Sequence, residues 1–489
     1  MATLSSALNY ALSGLSVTAA QSALVSRNVS SAGDENYTRK SAEVHTLPGG
    51  ALAIANINRS MDKQLLDKLL SSTSDSAGRQ TIIDALNRIS ATVGDPEADG
   101  SLAALLGKLE DSLKTYEANP SNSALAATAL ESARDLVSKL NTTSAEVVSI
   151  RSEADKAMSN SVDHINTLLA QFKVVNDSIV RGSGTANDLA ESLDQRDSIL
   201  RLLSEEIGIS TVSRSNNDVL IYAEGGSVLF EGSPRNVSMT PTSVFDAHSV
   251  GEGVYIDGVM VTGNAAPMRI SAGRLAALSK VRDDISVTMQ QQVDEIASGL
   301  VRNFAESDQS ALPSLPDVAG LFLDSAGGVP LAGAAPVGLA SRIKLNPLAD
   351  SQAGGSPQMI RDGGFGGSSY VYNQQGNASY QNRIDQLISS FDAVISFGSS
   401  SGLDASASLK EFGTNSAAWV EFQRQTAQAA SDGASATRTR ASESLLRVTG
   451  VNIDQEMAAL LDLEKSYQAS SKVISVIDSM LTSLLEAVR

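Results

Sequence analysis

The 489-residue sequence contains no cysteine, which excludes disulfides, thiolate nucleophiles and zinc–thiolate sites. Its three histidines, His45, His164 and His248, are far apart and none falls in a metal-ligand spacing. With neither Cys nor clustered His, a transition-metal centre has no ligand set. Aromatic residues make up only 4%, with Trp419 the single tryptophan. No apolar run reaches the roughly 18 residues that a membrane-spanning helix needs. Positive charge is also scarce: 37 Lys and Arg against 55 Asp and Glu give a net charge of −18. Nucleic acids are bound through clustered Lys and Arg, and the absence of such clusters argues against that partner.

What is present is a globular fraction of hydrophobic residues, 42%, in a chain long enough for two to four domains. Near the start, Leu4, Leu8, Ala11, Leu15, Thr18, Ser22, Val25 and Val29 alternate at spacings of four and three, a thin heptad seam. At the far end, Ile453, Leu460, Tyr467, Ile474, Leu481 and Val488 recur every seven residues, with Leu463, Ser470, Ile477 and Leu484 as a second row. Three arrangements fit these seams: a coiled-coil dimer, a helical bundle using its own ends, or ends that pair with each other and then with neighbouring copies. The opening segment lacks the basic region and contiguous apolar core of a signal peptide.

Residues 60–210 carry helical periodicity throughout, broken at "VGDPEADG" (93–100), "EANPSNSA" (117–124) and "RGSGTAND" (181–188). The period then changes. "NDVLIYAEGGSVLFEG" (217–232) and "GVYIDGVMVTG" (253–263) read as hairpins, because their Gly-Gly and Asp-Gly turns allow positive φ. Helix returns at 272–306. Residues 307–379 are rich in Gly, Pro and Ser, with a strand expected at "SRIKLN" (341–346), and helices resume from about 380 to the end. The fold class is mainly α with a β-rich middle (α+β): terminal helices paired as a coiled coil, a helical-bundle shoulder and a β-rich outer part.

Catalytic constellations are scarce. "GGFGG" (363–367) follows no strand and precedes no GK[ST], so it reads as a flexible loop. Asp95, Glu97 and Asp99 beside Gly100 hint at calcium, but the closing Glu of an EF-hand is missing. Asn28-Val-Ser matches the short glycosylation tripeptide. In "DQRD" (194–197), Asp197 and Arg201 stand four apart, the spacing of an ion pair on a solvated helix face. Nothing here calls for an enzyme, a metal or a cofactor.

Several stretches together resemble one family. "ALSGLSVTAAQSALVSRNVSSAGDENYTRK" resembles the N-terminal motif of bacterial flagellar axial proteins, with Tyr37-Thr38-Arg39 closest to its hook–filament junction members. "LAESLDQRDSILRLLSEEIGIS", "NPSNSALAATALESARDLVSKLN" and "GVNIDQEMAALLDLEKSYQASSKVISVIDSMLTSLL" resemble further segments of those members. Asn36 stands where the family usually has Gly before the Tyr. The resemblance implies a structural, non-enzymatic subunit that joins hook to filament. It would leave the cell through the type III export channel without a cleaved leader and reside outside the cell in the flagellum. Implied partners are further copies of itself, the hook protein, the second hook-associated protein and a cytoplasmic export chaperone. Another axial subunit, the second hook-associated protein or the hook protein, is the alternative.

On this reading the assembly residues are Leu4, Leu8, Ala11, Leu15, Val25, Asn28, Val29, Tyr37, Thr38 and Arg39 at the N-terminus. At the C-terminus they are Ile453, Leu460, Leu463, Tyr467, Ile474, Ile477, Leu481, Leu484 and Val488, which the chaperone would share. The expected domains are a terminal one (1–55 and 443–489), a shoulder (56–211, 272–306 and 380–442) and an outer one (212–271 and 307–379).

Overall fold

The computed structural model describes residues 2–94, 99–182, 186–311 and 315–487. Val488, and with it Asp95 and Glu97 of the acidic cluster, lie outside the described residues. The first helix, α1 (Ala2–Ser30), stops where Ser31-Ala32-Gly33-Asp34 replaces its periodic residues. Asp34 builds the turn there, its carboxylate accepting from the Asn36 amide at 2.9 Å and its carbonyl from Tyr37 at 3.1 Å. The chain then enters an antiparallel hairpin of β1 (Lys40–Thr46) and β2 (Leu52–Arg59). This hairpin was not foreseen, because its strands carry alternating polar residues and sit beside a strong helical pattern. It lies against α1: the Leu52 amide donates to Ser13 Oγ at 3.1 Å. Gly50 at its tip (φ +87°) approaches the Tyr10 ring so closely that a Cβ there would lie 2.9 Å from it.

The body begins with four helices, as the periodicity requires: α2 (Lys63–Val93), α3 (Leu102–Ala118), α4 (Ser123–Arg181) and α5 (Ala186–Glu206). Asp62, Ser101 and Asn122 cap the first three through their side-chain oxygens. The 59 residues of α4 make a helix about 88 Å long. Its buried stripe runs from Ala126 to Ile179 and forms the spine of one continuous core.

The hairpin turns appear where expected. β3 (Ile209–Ser213), β4 (Val219–Ala223) and β5 (Val228–Phe230) form one antiparallel sheet, with Gly225-Gly226 at a turn. A smaller sheet joins β6 (Val237–Ser238), β7 (Tyr255–Ile256) and β8 (Val259–Met260), and Asp257 (φ 48°) and Gly258 (φ 80°) take the left-handed backbone of its turn. The 272–306 helix is α6 (Arg274–Lys280) and α7 (Ser286–Asn303), joined by a π-turn at Val281–Ile285. Buried Arg282 in that turn bonds Asp155 of α4 at 2.5 Å.

Residues 307–379 hold little regular structure: β9 (Phe322–Asp324), α8 (Leu339–Arg342), β10 (Ile343–Leu345) and α9 (Met359–Asp362). The strand expected at 341–346 is β10, paired antiparallel with β9. Buried carboxylates at and just beyond α7 hold this segment by accepting backbone N–H groups. Asp294 takes those of Gly338 (2.7 Å) and Ala340 (2.8 Å), and Glu306 takes that of Gly366 (3.3 Å). The "GGFGG" stretch therefore wraps a buried carboxylate rather than forming a free loop. The chain finishes with α10 (Asn382–Asp392), β11 (Val394–Ser396), β12 (Ser406–Ser408), α11 (Leu409–Thr449) and α12 (Ile453–Ala487). A capping box between Ser408 and Glu411 starts α11, which packs along α2 while α12 packs against α1. Among the described residues no helix is long and apolar enough to cross a membrane.

Candidate assembly elbow and terminal helix pair

The two ends of the chain meet in one antiparallel pair. Asn28, late in α1, touches Glu456, early in α12, and Gly14 lies opposite Ser470, whose Oγ would be 3.8 Å from a Cβ at that glycine. The pair is thin. On α1, Val17, Thr18, Leu24 and Asn28 are buried, while Leu4, Leu8, Ala11, Leu15, Val25 and Val29 are half-buried. On α12, Ile477 is buried and Leu460, Leu463, Ile474 and Leu481 are half-buried. Two members of the seven-residue row face solvent: Ile453 is 52% exposed and Tyr467 46%. Met457, Leu461, Val473, Val476 and Met480 are about as open. The pairing stripe thus follows the two heptad rows apart from Ile453 and Tyr467, and much apolar surface of α12 stays uncovered within one chain.

Beyond α1 the chain turns through a buried polar joint. Asn28 Nδ2 donates to the Lys40 carbonyl (2.9 Å) and to Glu456 Oε2 (2.8 Å), while Asn28 Oδ1 accepts from Tyr37 Oη (2.8 Å) and the Lys40 amide (3.1 Å). All four capacities of this side chain are used. The same burial closes the Asn28-Val-Ser tripeptide to any modifying enzyme. Arg39 Nε bonds Glu456 Oε1 at 2.6 Å, and the Arg39 amide donates to the Thr449 carbonyl at 2.7 Å. The Lys40 ammonium sits 4.0 Å from the centre of the Tyr37 ring. Burial, reinforced by the charge of Asp194, pushes the Tyr37 hydroxyl up to about 12.

The other side of the joint is α5, and here the solvated ion pair expected of "DQRD" is overturned. Asp194 and Asp197 are buried because their face of α5 points at the elbow, and Arg196 is buried on another face, toward Asn176 and Asn217. Asp194 accepts from Thr38 Oγ1 (2.5 Å) and Arg59 Nη1 (3.1 Å) and forms an ion pair with Lys40 Nζ (2.9 Å). Asp197 pairs with Arg59 at 2.6 Å, not with Arg201. Burial raises the Asp197 carboxyl above its usual range, opposed by the Arg59 charge. Arg196 Nη1 reaches the Asn217 carbonyl at 2.6 Å, and burial lowers its guanidinium. Arg201 Nη1 donates to the Glu35 carbonyl (3.0 Å) and Asn36 Oδ1 (2.8 Å). The asparagine that replaces the family's usual glycine therefore has a partner of its own. Arg27 and Glu191 add an outer ion pair.

Of the residues singled out in sequence, Asn28, Tyr37, Thr38 and Arg39 converge on this joint. Lys40, Arg59, Asp194 and Glu456 complete it and were missed, since each contact joins residues more than a hundred positions apart, save those of Lys40 to Asn28 and Tyr37. The alternation of Asp194 and Asp197 with Arg196 was a usable signal: like charges so dense on one turn invite buried partners. His164 is exposed on α4, with Nδ1 3.1 Å from Glu206. Among the described residues, no cluster of His, Cys, Asp or Glu is arranged to hold a metal ion.

Comparison with known proteins bears on the same two regions. Residues 86–314 match the family described as "Flagellar hook-associated protein FlgK helical domain". Residues 443–487 match "Flagellar basal body rod FlgEFG protein C-terminal". Flagellar hook-associated protein 1 of Salmonella typhimurium is 28% identical over 257 residues, 49% of this chain and 45% of that protein. Its Escherichia coli K12 counterpart is 26% identical over 269 residues, 52% and 48% of the two chains. The chain spans about half the length of the curated relatives it matches. A solved structure of the flagellar hook junction protein FlgK from Burkholderia pseudomallei aligns with a TM-score of 0.43 at 20% identity, over 53% of this chain and 47% of that one. The chain thus resembles the helical domain of FlgK across α3 to α7 and the C-terminal domain of flagellar rod proteins on α12.

Proposed function

We propose that this chain is a structural subunit of the bacterial flagellum that joins the hook to the filament and polymerises through its terminal helices. The match of residues 86–314 to the FlgK helical domain carries this reading. The antiparallel pairing of α1 with α12, which leaves apolar side chains of α12 open to further copies, supports it. The work is mechanical: the terminal pair lines an inner tube, the elbow sets its angle to the body, and the body forms the outer wall. The terminal, shoulder and outer divisions expected from the sequence belong to this proposal, with the terminal part extended through β2 to Arg59. Its partners are further copies, the hook protein and the second hook-associated protein, with an export chaperone on α12 in the cytoplasm. It leaves through the type III channel and does no catalysis.

The match at 443–487 is to a domain named for rod proteins and by itself fits another axial subunit; the helical-domain match favours the junction. The test is reconstitution. Hooks isolated from a strain lacking this protein are incubated with the purified chain, then with flagellin. Filament growth only after addition of the chain is expected. Filaments growing equally well without it would refute the junction reading.

A further inference from the structure

We infer that the loop 242–252 is a preformed contact that seats in a groove between α2 and α6 of a second copy of this chain. The inference rests on the junction reading, in which copies of the chain assemble, and it names surfaces of the body through which neighbours meet. Two valines of this loop stand bare: Val244 is 76% exposed, and Val250, at 88%, is the most open large apolar side chain among the described residues. Bare valines are ordinary on a loop that moves freely, but this loop is bolted down by buried charge. Arg151 of α4 donates to the carbonyls of Asp246 (3.4 Å), Ala247 (3.3 Å) and Ser249 (2.6 Å). Its guanidinium lies 5.1 Å from the centre of the Phe245 ring. Arg282, buried in the π-turn, donates to the Glu252 carbonyl at 2.9 Å. Asp155, which bonds Arg282 through one oxygen, takes the Thr242 amide on the other at 2.7 Å. A Cβ at Gly251 would collide with the Arg282 guanidinium, so the chain runs flush against it. Two guanidinium groups taken out of water are far more than a spacer requires. A loop held rigid loses little conformational entropy on binding, which is what a contact surface needs.

The occupant follows from charge. Beside Val250, the exposed Glu252 carboxylate has no cation paired with it among the described residues. Its match is a surface with apolar walls and unclaimed cations, which a chain of net charge −18 offers in few places. A groove of about 230 Å³ between α2 and α6 is one: Ile82, Ile270, Ala276 and Ala277 line it together with Arg269 and Lys280. Arg269 bonds the neutral Asn264 side chain at 3.1 Å, and Lys280 is exposed; neither meets a carboxylate among the described residues. The aspartate of the groove, Asp75, is taken up by Arg79 at 3.1 Å. The two valines therefore meet the apolar walls while Glu252 meets Arg269 and Lys280 at the edge, and charge so placed sets register and partner choice. Loop and groove are different surfaces of one chain, so the contact is heterologous and repeats from copy to copy.

The chain has no cysteine of its own, so single thiols report the contact. Val250→Cys and Ala276→Cys chains are purified separately, mixed in equal amounts and loaded onto hooks isolated from a strain lacking this protein. A short bismaleimide is then added. A cross-linked pair that forms from the mixture and from neither chain alone is expected. Glu252→Lys on the first chain should lower its yield about fivefold, as should Arg269→Glu with Lys280→Glu on the second. Combining the two altered chains should restore the yield, which a misfolded loop or groove could not do. Val174→Cys, at a position 68% exposed on α4, should give no pair with Ala276→Cys. Filament growth on the same hooks tests the junction reading separately. Hooks that carry the chain and grow filament yet give no mixed pair would overturn the inference. So would a Val250→Cys link to the hook protein in its place, an equal yield from Val174→Cys, or a yield indifferent to the charge changes. Failure of the chain to load onto hooks would overturn it together with the junction reading.

Discussion

Asp194 and Asp294 show how one residue type serves opposite ends in this protein. Asp194 sits among Thr38, Lys40 and Arg59 and fastens the elbow to α5. Removing it strands Lys40, which is almost fully buried, and a buried charge that loses its partner costs about 3–5 kcal/mol. Asp194→Ala should lower the denaturant midpoint accordingly with the slope unchanged; a loss under 1 kcal/mol would show that the joint is solvated. Asp294 is held by backbone N–H groups without a direct cation, and burial pushes its carboxyl up to about 6 despite those donors. A carboxyl whose folded value lies above the unfolded one binds its proton more tightly in the native state. Its contribution is therefore greatest below about pH 4 and is lost as pH rises through about 6, by at most about 3 kcal/mol. Unfolding free energies measured between pH 4 and 7 should carry this downward component, and Asp294→Asn should abolish it. An unchanged slope in that variant would contradict the assignment.

At the scale of elements, the body and the terminal pair are built to different standards. Leu109 on α3 is wholly buried, and Leu109→Ala should cost about 2–5 kcal/mol, seen as an earlier transition of Trp419, which packs on the same core. Leu24→Ala or Ile477→Ala should instead reduce helical circular dichroism of the pair while leaving the Trp419 transition in place. Coincident shifts of both signals would mean that the pair and the body unfold as one unit. The same contrast explains what the sequence disclosed. The body helices were legible because Leu and Ile repeat at helical spacing over long stretches, and the Gly-Gly and Asp-Gly turns because φ > 0 leaves few residue choices. The β1–β2 hairpin escaped notice because its strands bury almost no side chain and are bounded by a stronger helical pattern. The terminal seam lies along the two rows read from the sequence, with Leu460, Leu463, Ile474, Ile477 and Leu481 at least half-buried and only Ile453 and Tyr467 exposed among the described members. Ile453 and Tyr467 keep the period yet are exposed, and beside Ile453 the buried contact across the pair is polar, Asn28 with Glu456. A polar joint of this kind leaves no periodic trace.

Across the whole molecule, the elbow ties three distant parts of the chain: the turn after α1, the middle of α5 and the start of α12. The two family matches fall on the latter two, so the regions that resemble flagellar proteins and the joint that holds the chain's ends together occupy the same place. An acidic chain with a net charge of −18 also repels its own copies at low salt, so in the proposed assembly the apolar face of α12 is the favourable contribution. Deletion of the gene, followed by electron microscopy of the cells and assay of flagellin in the medium, tests the central claim most directly. The account predicts complete hooks that carry no filament, flagellin released into the medium, and recovery of filaments when the intact chain is restored. Filaments of normal length on the deleted cells, or loss of the hooks themselves, would contradict it.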